Sequence, residues 1–190
     1  QANTPPLNLG KVSNRGYEIE AEFNDKVGQI GYFVKANYSF ARNRIDYRAE
    51  VPAAYPWMMS TGYSIGQYKG LLTDGFFNAT EELNNRPFNK FGNNARLGDL
   101  KFRDINADGF IDQADLVPIG YANLPQVAYN LSIGFSYKGF DVSALFIGTA
   151  KGSFPQSGYI LSTPLAKTVG QVLDYAYEGR WTAEKAAKGA

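Results

Sequence analysis

Oxygen-bearing side chains recur at alternate positions in one stretch of this 190-residue chain, and their spacing suits a metal ion. Asp104, Asn106 and Asp108 occupy positions 1, 3 and 5 of a twelve-residue segment, and Gly109 stands at position 6, where such a loop turns sharply. Twelve-residue calcium loops have this spacing, with a backbone carbonyl at position 7, a water or carboxylate at position 9 and an acid at position 12. The segment therefore predicts one hard cation with these ligands: Asp104, Asn106, Asp108, the carbonyl of Phe110, Asp112 and Asp115.

Position 12 of this loop is Asp115, which is one methylene shorter than the glutamate that binds calcium through both oxygens in many such loops. We therefore expect Ca²⁺ as a structural ion of reduced affinity, with Ile111 at position 8 anchoring the loop to apolar neighbours. The alternative is a solvated polar turn, in which the same side chains accept hydrogen bonds from nearby backbone N–H groups.

The composition excludes several other kinds of site. The chain has no cysteine and no histidine, which excludes disulfides, Cys-ligated zinc, Ser-His and Cys-His nucleophiles and the HExxH motif. Its 19 basic and 18 acidic residues give a net charge of +1, so we expect no nucleic-acid partner. No apolar run predicts a membrane-spanning helix, and residues 1–6 lack the pattern of a signal peptide.

The elements that would position the loop are strands. Apolar and polar residues alternate with period two in four segments, at about residues 17–24, 30–43, 127–137 and 140–150. Short connections, at residues 25–29 and 138–139, join the segments within each pair. Long connections, at about residues 44–126 and from about residue 151, follow the pairs, and the predicted cation loop lies within the first of them. Short turns on one side and long loops on the other are typical of an outer-membrane barrel.

We therefore predict an all-β fold, an antiparallel segment of a large plugged transmembrane β-barrel with long extracellular loops. Aromatic residues near the strand ends, such as Tyr17 and Tyr137, would form the girdle of such a barrel. Glu18, Glu20 and Glu22 alternate on the opposite face, where a watery lumen tolerates them and a sandwich core could not bury them unpaired. A soluble β-sandwich with this face outward is the alternative.

Two further groups of residues are candidates for catalysis or binding. The three glutamates are about 7 Å apart along a strand, within the range of paired glycosidase acids, but we favour a polar lumen wall and expect no enzymatic activity. Tyr55, Trp57 and Tyr63 in the long loop would contact substrate or a lid protein, or else pack a loop core. Helical spacing at residues 168–177 predicts a short helix.

Several short motifs occur in a characteristic order along the chain. They are Asn14–Glu20, Tyr38–Ile45, Gly66–Lys69, Thr73–Phe77 with Glu81 and Glu82, Gly98–Asp104 leading into the acidic loop, Ile119-Gly120 before Tyr129–Leu131, Tyr137–Asp141, and Gly179–Thr182. In this ordered set, which covers nearly all of its length, the chain resembles the C-terminal part of SusC/RagA-like TonB-linked outer-membrane proteins of Bacteroidetes.

The resemblance implies a function, partners and a location. Such proteins are plugged barrels of the 22-stranded kind that import glycans, oligosaccharides or peptides across the outer membrane of a Gram-negative bacterium. TonB powers import through a plug region, and a SusD-like lipoprotein caps the barrel from outside. This chain would supply barrel strands in contact with outer-membrane lipid, together with extracellular loops. The plug and the TonB box are not among its 190 residues, so we expect it to be a part of a longer protein.

Two other functions are alternatives to import. Asp104–Asp115 also resembles the loop of a dockerin, which would make the chain a secreted calcium-binding interaction module. Pro118 and Gly120 follow where a dockerin needs a helix, and the second loop of the usual pair is missing. A glycoside hydrolase has only the alternating glutamates in its favour.

Overall fold

The computed structural model describes residues 9–92, 94–156 and 174–188, and most of this part of the chain is strand and loop. The strands are β1 (Gly10–Val27), β2 (Ile30–Arg48), β3 (Gln67–Gly70), β4 (Thr73–Phe76), β5 (Phe88–Asn89), β6 (Leu100–Phe102), β7 (Phe110–Ile111), β8 (Val117–Ala122), β9 (Val127–Tyr137) and β10 (Phe140–Ala150). The helices are α1 (Thr80–Asn84), α2 (Asp174–Gly179) and α3 (Ala183–Ala187). No helix in these described ranges is both long and apolar enough to cross a membrane.

The largest element is a four-stranded antiparallel sheet in the order β1-β2-β9-β10. This sheet confirms the prediction of an all-β, antiparallel fold. Lys138 and Gly139 join β9 to β10 with φ of 47° and 86°, and positive φ at both central residues gives the turn whose twist matches its flanking strands. Because β2 pairs with β9 from Ile30 opposite Tyr137 to Phe40 opposite Val127, the long connection leaves and rejoins the sheet at one end.

β9 and β10 coincide with the predicted segments, whereas β1 and β2 are longer than predicted. Alternation predicted strands at residues 17–24 and 30–43. The structure continues the pairing outward, with Ser13 opposite Arg44 and Lys26 opposite Gly31. These outer residues show no apolar and polar contrast, so their cross-strand hydrogen bonds leave no periodic signal.

One face of this sheet, here called the apolar face, carries apolar side chains in rows that cross the strands. Most of its large side chains are exposed, including Ile19 at 58% and Phe140 at 76%. In order along the strands, the rows are Tyr17, Phe40 and Val127; Ile19, Tyr38 and Tyr129; Ala21, Ala36, Leu131 and Phe146; Phe23, Val34, Ile133 and Ala144; Tyr32, Phe135 and Val142, with the one charged exception Asp25; and Val27, Ile30, Tyr137 and Phe140.

The opposite face, here called the polar face, carries most of the charged and hydroxyl side chains of the sheet. Its polar members are Glu18, Glu20, Glu22, Asn24, Lys26, Lys35, Asn37, Ser39, Asn130, Ser132, Ser136, Asp141, Ser143 and Thr149. Phe33, Leu145 and Ile147 are apolar exceptions on this face. The alternation of the sequence therefore appears in the structure as two chemically different surfaces.

The chain divides into two compact units, Gln1–Tyr68 with Ile119–Ser153, and Lys69–Pro118 with Phe154–Ala190. The four-stranded sheet belongs to the first unit. Among the described residues, the buried apolar side chains are few, and they are Ala122, Val127, Phe77 and Ile111. A conventional apolar core is therefore small in both units.

Short sheets organise the connections, a feature that the alternation did not predict. β3 pairs with β8, β4 pairs with β6, and β5 runs parallel to β7. In the second unit, Trp181 lies against Gly98, and its indole N–H donates to the side-chain oxygen of Asn78 at 2.8 Å. The predicted helix at 168–177 falls mostly outside the described residues, and α2 begins at Asp174.

Candidate metal centre

The predicted cation loop, Asp104–Asp115, is held at its centre by the parallel pair β5 and β7. The Phe88 N–H donates to the Gly109 carbonyl at 2.9 Å, and the Lys90 N–H donates to the Ile111 carbonyl at 3.0 Å. Ile111 is only 2% exposed, so it is the apolar anchor that the sequence predicted. The loop is therefore fixed by backbone pairing and by one buried side chain.

In the first half of the loop, side-chain oxygens accept hydrogen bonds from the backbone that follows them. Asp104 Oδ2 accepts from the Gly109 N–H at 2.8 Å, and Asp108 Oδ1 accepts from the Phe110 N–H at 2.9 Å. Asp104 Oδ1 and Asn106 Oδ1 both lie 3.3 Å from the Asp108 nitrogen. Gly109 has φ of 84°, a conformation that L side chains rarely adopt. The sharp turn predicted at position 6 is present.

Asp115 closes the loop. Its carboxylate is fully buried, and its two oxygens accept from the Ile105 N–H at 2.8 Å and the Asp112 N–H at 2.9 Å. The two hydrogen bonds tie position 12 to positions 2 and 9, so the loop ends are joined through this one side chain. A buried carboxylate requires such compensation, because an unpaired buried charge is strongly unfavourable.

Asp112, at position 9, is held by a lysine from outside the loop. Lys90 Nζ lies 2.7 Å from Asp112 Oδ2, and the Ala114 N–H donates to Asp112 Oδ1 at 2.7 Å. The hydrogen bond from Lys90, followed by the one from Ala114, lowers the pKa of Asp112. Lys90 Nζ also lies 4.3 Å from the centre of the Phe110 ring, where a cation–π attraction helps to place it. Sequence spacing gave no sign of this lysine.

The chemistry of these donors fits a hard cation such as Ca²⁺, because all of them are oxygens. Within the described ranges, no group of three or more acidic, histidine or cysteine side chains is already gathered to hold a metal. Each carboxylate oxygen of Asp104, Asp108 and Asp115 accepts a single hydrogen bond, which leaves lone-pair capacity for a cation. The loop is therefore ordered but open, and binding would draw the side chains of positions 1, 3 and 5 together. The ligand set stays a prediction.

The aromatic candidates in the first unit do not act as one group. Tyr55 and Trp57 stack with ring centres 4.7 Å apart and planes 10° apart, and both are half-buried. Tyr63 is not part of this stack. Its backbone carbonyl accepts a hydrogen bond from the Ile45 N–H at 2.9 Å. Only Tyr55 and Trp57 therefore present a shared aromatic surface.

A carboxylate that sequence reasoning missed closes the loop that carries this stack. Glu50 Oε1 accepts from the Thr61 N–H at 2.8 Å and the Thr61 hydroxyl at 2.7 Å, and Oε2 accepts from the Ser60 N–H at 2.9 Å. These bonds, led by the one from the Ser60 backbone, lower the pKa of Glu50 to about 2. Its hydrogen-bond partners are ten and eleven residues away in the chain, so no local sequence motif predicts them.

The alternating glutamates are bridged by a cation rather than arranged as an acid and a base. Lys35 Nζ lies 3.2 Å from Glu20 Oε1 and 3.2 Å from Glu22 Oε2. The three side chains are exposed on the polar face, where exposed ion pairs contribute little to stability. This arrangement favours a structural role for the pair.

Comparisons with known proteins leave the function to be argued from these features. No protein-family model matches the chain, and no curated protein is detectably similar to it. The two faces of the sheet and the acidic loop are therefore the observations on which an assignment has to stand.

Proposed function

We propose that this chain is part of the barrel wall of a SusC-like, TonB-dependent importer in the outer membrane of a Gram-negative bacterium of the Bacteroidetes. The main support for this proposal is the apolar face of the sheet. Its width is about 19 Å for four strands and its length about 34 Å, so it covers about 650 Å² in projection. The largest apolar patch of a typical soluble monomer is about 300–600 Å². An apolar surface of this size is expected to contact lipid rather than water.

The order of residue types along the apolar face supports a lipid neighbour. Ten residues separate the row of Tyr17 and Phe40 from the row of Tyr137 and Phe140, which is about 34 Å along the strands. A tilt of about 40° shortens this to about 26 Å along the membrane normal, close to the apolar band of about 25 Å in such barrels. Two of the three side chains in the first row and two of the four in the last row are aromatic, whereas six of the eight in the two central rows are aliphatic.

The edges of the sheet also fit a wall that continues. In the described part of the chain, β1 and β10 are each paired on one side only. An unpaired strand edge exposes backbone N–H and C=O groups, and lipid offers them no hydrogen-bond partner. Neighbouring strands of a closed barrel would satisfy both edges.

The remaining roles follow from the resemblance. The polar face would line the lumen, and the long connections would hold the imported glycan or peptide together with a SusD-like lipoprotein. Tyr55 and Trp57 offer a stacked surface for that contact. TonB would act through a plug region, and Ca²⁺ in Asp104–Asp115 would rigidify an extracellular loop without any catalytic part.

The dockerin-like alternative has less support. β8 begins at Val117, two residues after Asp115, where a dockerin loop continues into a helix. A secreted module would also have to leave the apolar face in water. We therefore retain transport as the proposed function.

Neighbouring single cysteines test this proposal, because the chain has no cysteine of its own. Leu131→Cys places a thiol on the apolar face, and Ser132→Cys places one on the polar face one residue away. In the full-length protein that contains this chain, reconstituted into phosphatidylcholine vesicles, a water-soluble, membrane-impermeant maleimide should label Ser132→Cys and spare Leu131→Cys. A lipid-soluble maleimide should label both. Equal labelling of the two positions by the impermeant reagent would contradict a lipid-facing surface.

A further inference from the structure

Four cationic side chains gather at one end of the apolar face. Arg15 stands directly opposite Arg42 across β1 and β2, and Arg44 stands opposite Ser13. The regular register from Ser13 onward keeps these residues on the side of Tyr17 and Phe40, just beyond that aromatic row. Lys151 Nζ reaches to 5.4 Å from the centre of the Phe40 ring. We call Arg15, Arg42, Arg44 and Lys151 the cationic cluster.

The cationic cluster lacks sufficient counter-charge. Like charges directly opposite on neighbouring strands are destabilising, so the pairing of Arg15 with Arg42 is unfavourable by itself. Within the described ranges, none of the three exposed arginines forms an ion pair. Asp46 is the acid beside them, and it accepts a hydrogen bond from the Ser13 hydroxyl at 3.1 Å. An anion from outside the chain would relieve this repulsion.

The groove beside the cationic cluster has a shape and hydrogen-bond donors that suit a phosphate group attached to a sugar. The three arginines, Ser13, Phe40, Asp46 and Gly62 line an open groove of about 450 Å³. Guanidinium groups bind phosphate through two parallel N–H donors, and two arginines on directly opposed positions can reach the same group. Ser13 and Asp46 add a hydroxyl and a carboxylate that can hydrogen-bond sugar hydroxyls.

Because the cationic cluster lies next to the apolar face, we expect it to bind a lipid in preference to a free ion. An anion that carries acyl chains would place its phosphate on the arginines and its chains along the rows that begin at Tyr17 and Phe40. A free phosphate gains nothing from that surface. We infer that the cationic cluster binds the phosphorylated headgroup of lipid A in the outer leaflet, an assignment that rests on the proposed membrane location. By the resemblance, the long connections at this end of the sheet face outward.

The test compares two matched double variants of the full-length protein that contains this chain, called the parent chain when unsubstituted. Arg15→Gln with Arg42→Gln removes two cations from the cluster, and Lys26→Gln with Lys138→Gln removes two cations at the opposite end of the sheet. Flotation with phosphatidylcholine vesicles first establishes membrane insertion. Binding is then measured in detergent micelles by the anisotropy of dye-labelled, bisphosphorylated lipid A.

The arginine variant should float like the parent chain and bind lipid A at least about tenfold more weakly, since the loss of even one charge-assisted hydrogen bond weakens binding by about that factor. The lysine variant should bind as the parent does, and lipid A without phosphates should bind weakly to all three. Equal affinity for the two variants, equal affinity for dephosphorylated lipid A, or displacement by about 10 mM inorganic phosphate would each overturn the inference. If the parent chain does not float, the proposed function fails and this inference fails with it.

Discussion

The four-stranded sheet and the acidic loop keep their structure by opposite means. In the sheet, backbone pairing runs without interruption from Val12 opposite Ile45 to Val27 opposite Ile30, while most of the large side chains stay exposed. In the loop, β5 and β7 are only two residues long each, and hydrogen bonds from side chains to the backbone hold the chain. The buried carboxylate of Asp115 joins its ends.

This difference shows what stabilises the sheet and what stabilises the loop. The sheet satisfies the hydrogen bonds between its four strands, but its two outer edges and its apolar face depend on their surroundings. The loop is held by its own side chains, by β5 and by Lys90, and it concentrates negative charge, which a bound cation would neutralise. If the proposed membrane location holds, substitutions in the sheet should report on lipid, and substitutions in the loop should report on local hydrogen bonds and on ions.

The sharpest test of the contrast is a charge on the sheet. Leu131→Arg on the apolar face should cost about 2–4 kcal/mol of unfolding free energy, because an arginine near the bilayer midplane is poorly solvated. Ser132→Arg, one residue away on the polar face, should change the unfolding free energy by less than about 0.5 kcal/mol. Urea unfolding of the chain in vesicles measures both. Equal costs would mean that the two faces meet the same solvent.

Calcium should stabilise the loop and leave the sheet unchanged. At a free Ca²⁺ concentration of about 100 times the dissociation constant, binding adds about 2.7 kcal/mol to the stability of the bound region. Hydrogen exchange at residues 104–115, with and without a chelator, should show this protection, and exchange in β9 should not change. Asp104→Ala and Asp108→Ala should abolish the response. A calcium titration that is unaltered in both variants would refute the ligand assignment.

Asp115→Asn separates loop closure from ion binding. An amide places N–H groups against the N–H of Ile105 or Asp112, so one buried hydrogen bond is lost even without calcium, at about 1–3 kcal/mol. Asp108→Asn, whose side chain is exposed, is the matched control and should cost far less under the same conditions. Thermal unfolding in chelator measures the difference. If the two variants unfold together, Asp115 does not close the loop.

The smallest expected effect is the pH response of the loop that Glu50 holds. The pKa of Glu50 is lowered from 4.5 to about 2, so its contribution to stability is complete above pH 4.5 and is lost as the pH falls toward 2. The fluorescence of Trp57, followed in a Trp181→Phe background, should change over this interval. Glu50→Gln should remove that dependence, and an identical transition in the variant would assign it to another group.

Local spacing predicted the features that local spacing determines. The alternation placed β9 and β10 correctly because apolar and polar side chains alternate along β9 and through the first part of β10. The Lys138-Gly139 turn and the turn at Gly109 were visible because few residues adopt positive φ without strain. The hydrogen bonds from the side chains of the acidic loop to its backbone likewise form within twelve residues.

Features that depend on distant partners could not be predicted. Arg15 and Arg42 are far apart in the chain, and only the register of β1 against β2 places them opposite each other. Lys90 reaches Asp112 because β5 lies beside β7, a pairing of two residues with no periodic pattern. Glu50 finds its donors across a loop. In each case long-range pairing, and not residue type, creates the contact.

The most direct test of the membrane assignment is an immunoblot of fractionated source cells with an antibody against this chain, run with and without boiling. The account predicts a band in the outer-membrane fraction, well above the 20.9 kDa of this chain, whose mobility shifts on boiling, as a barrel denatures only with heat. A soluble or secreted band near 20.9 kDa with no shift would contradict it and would favour the secreted calcium-binding module.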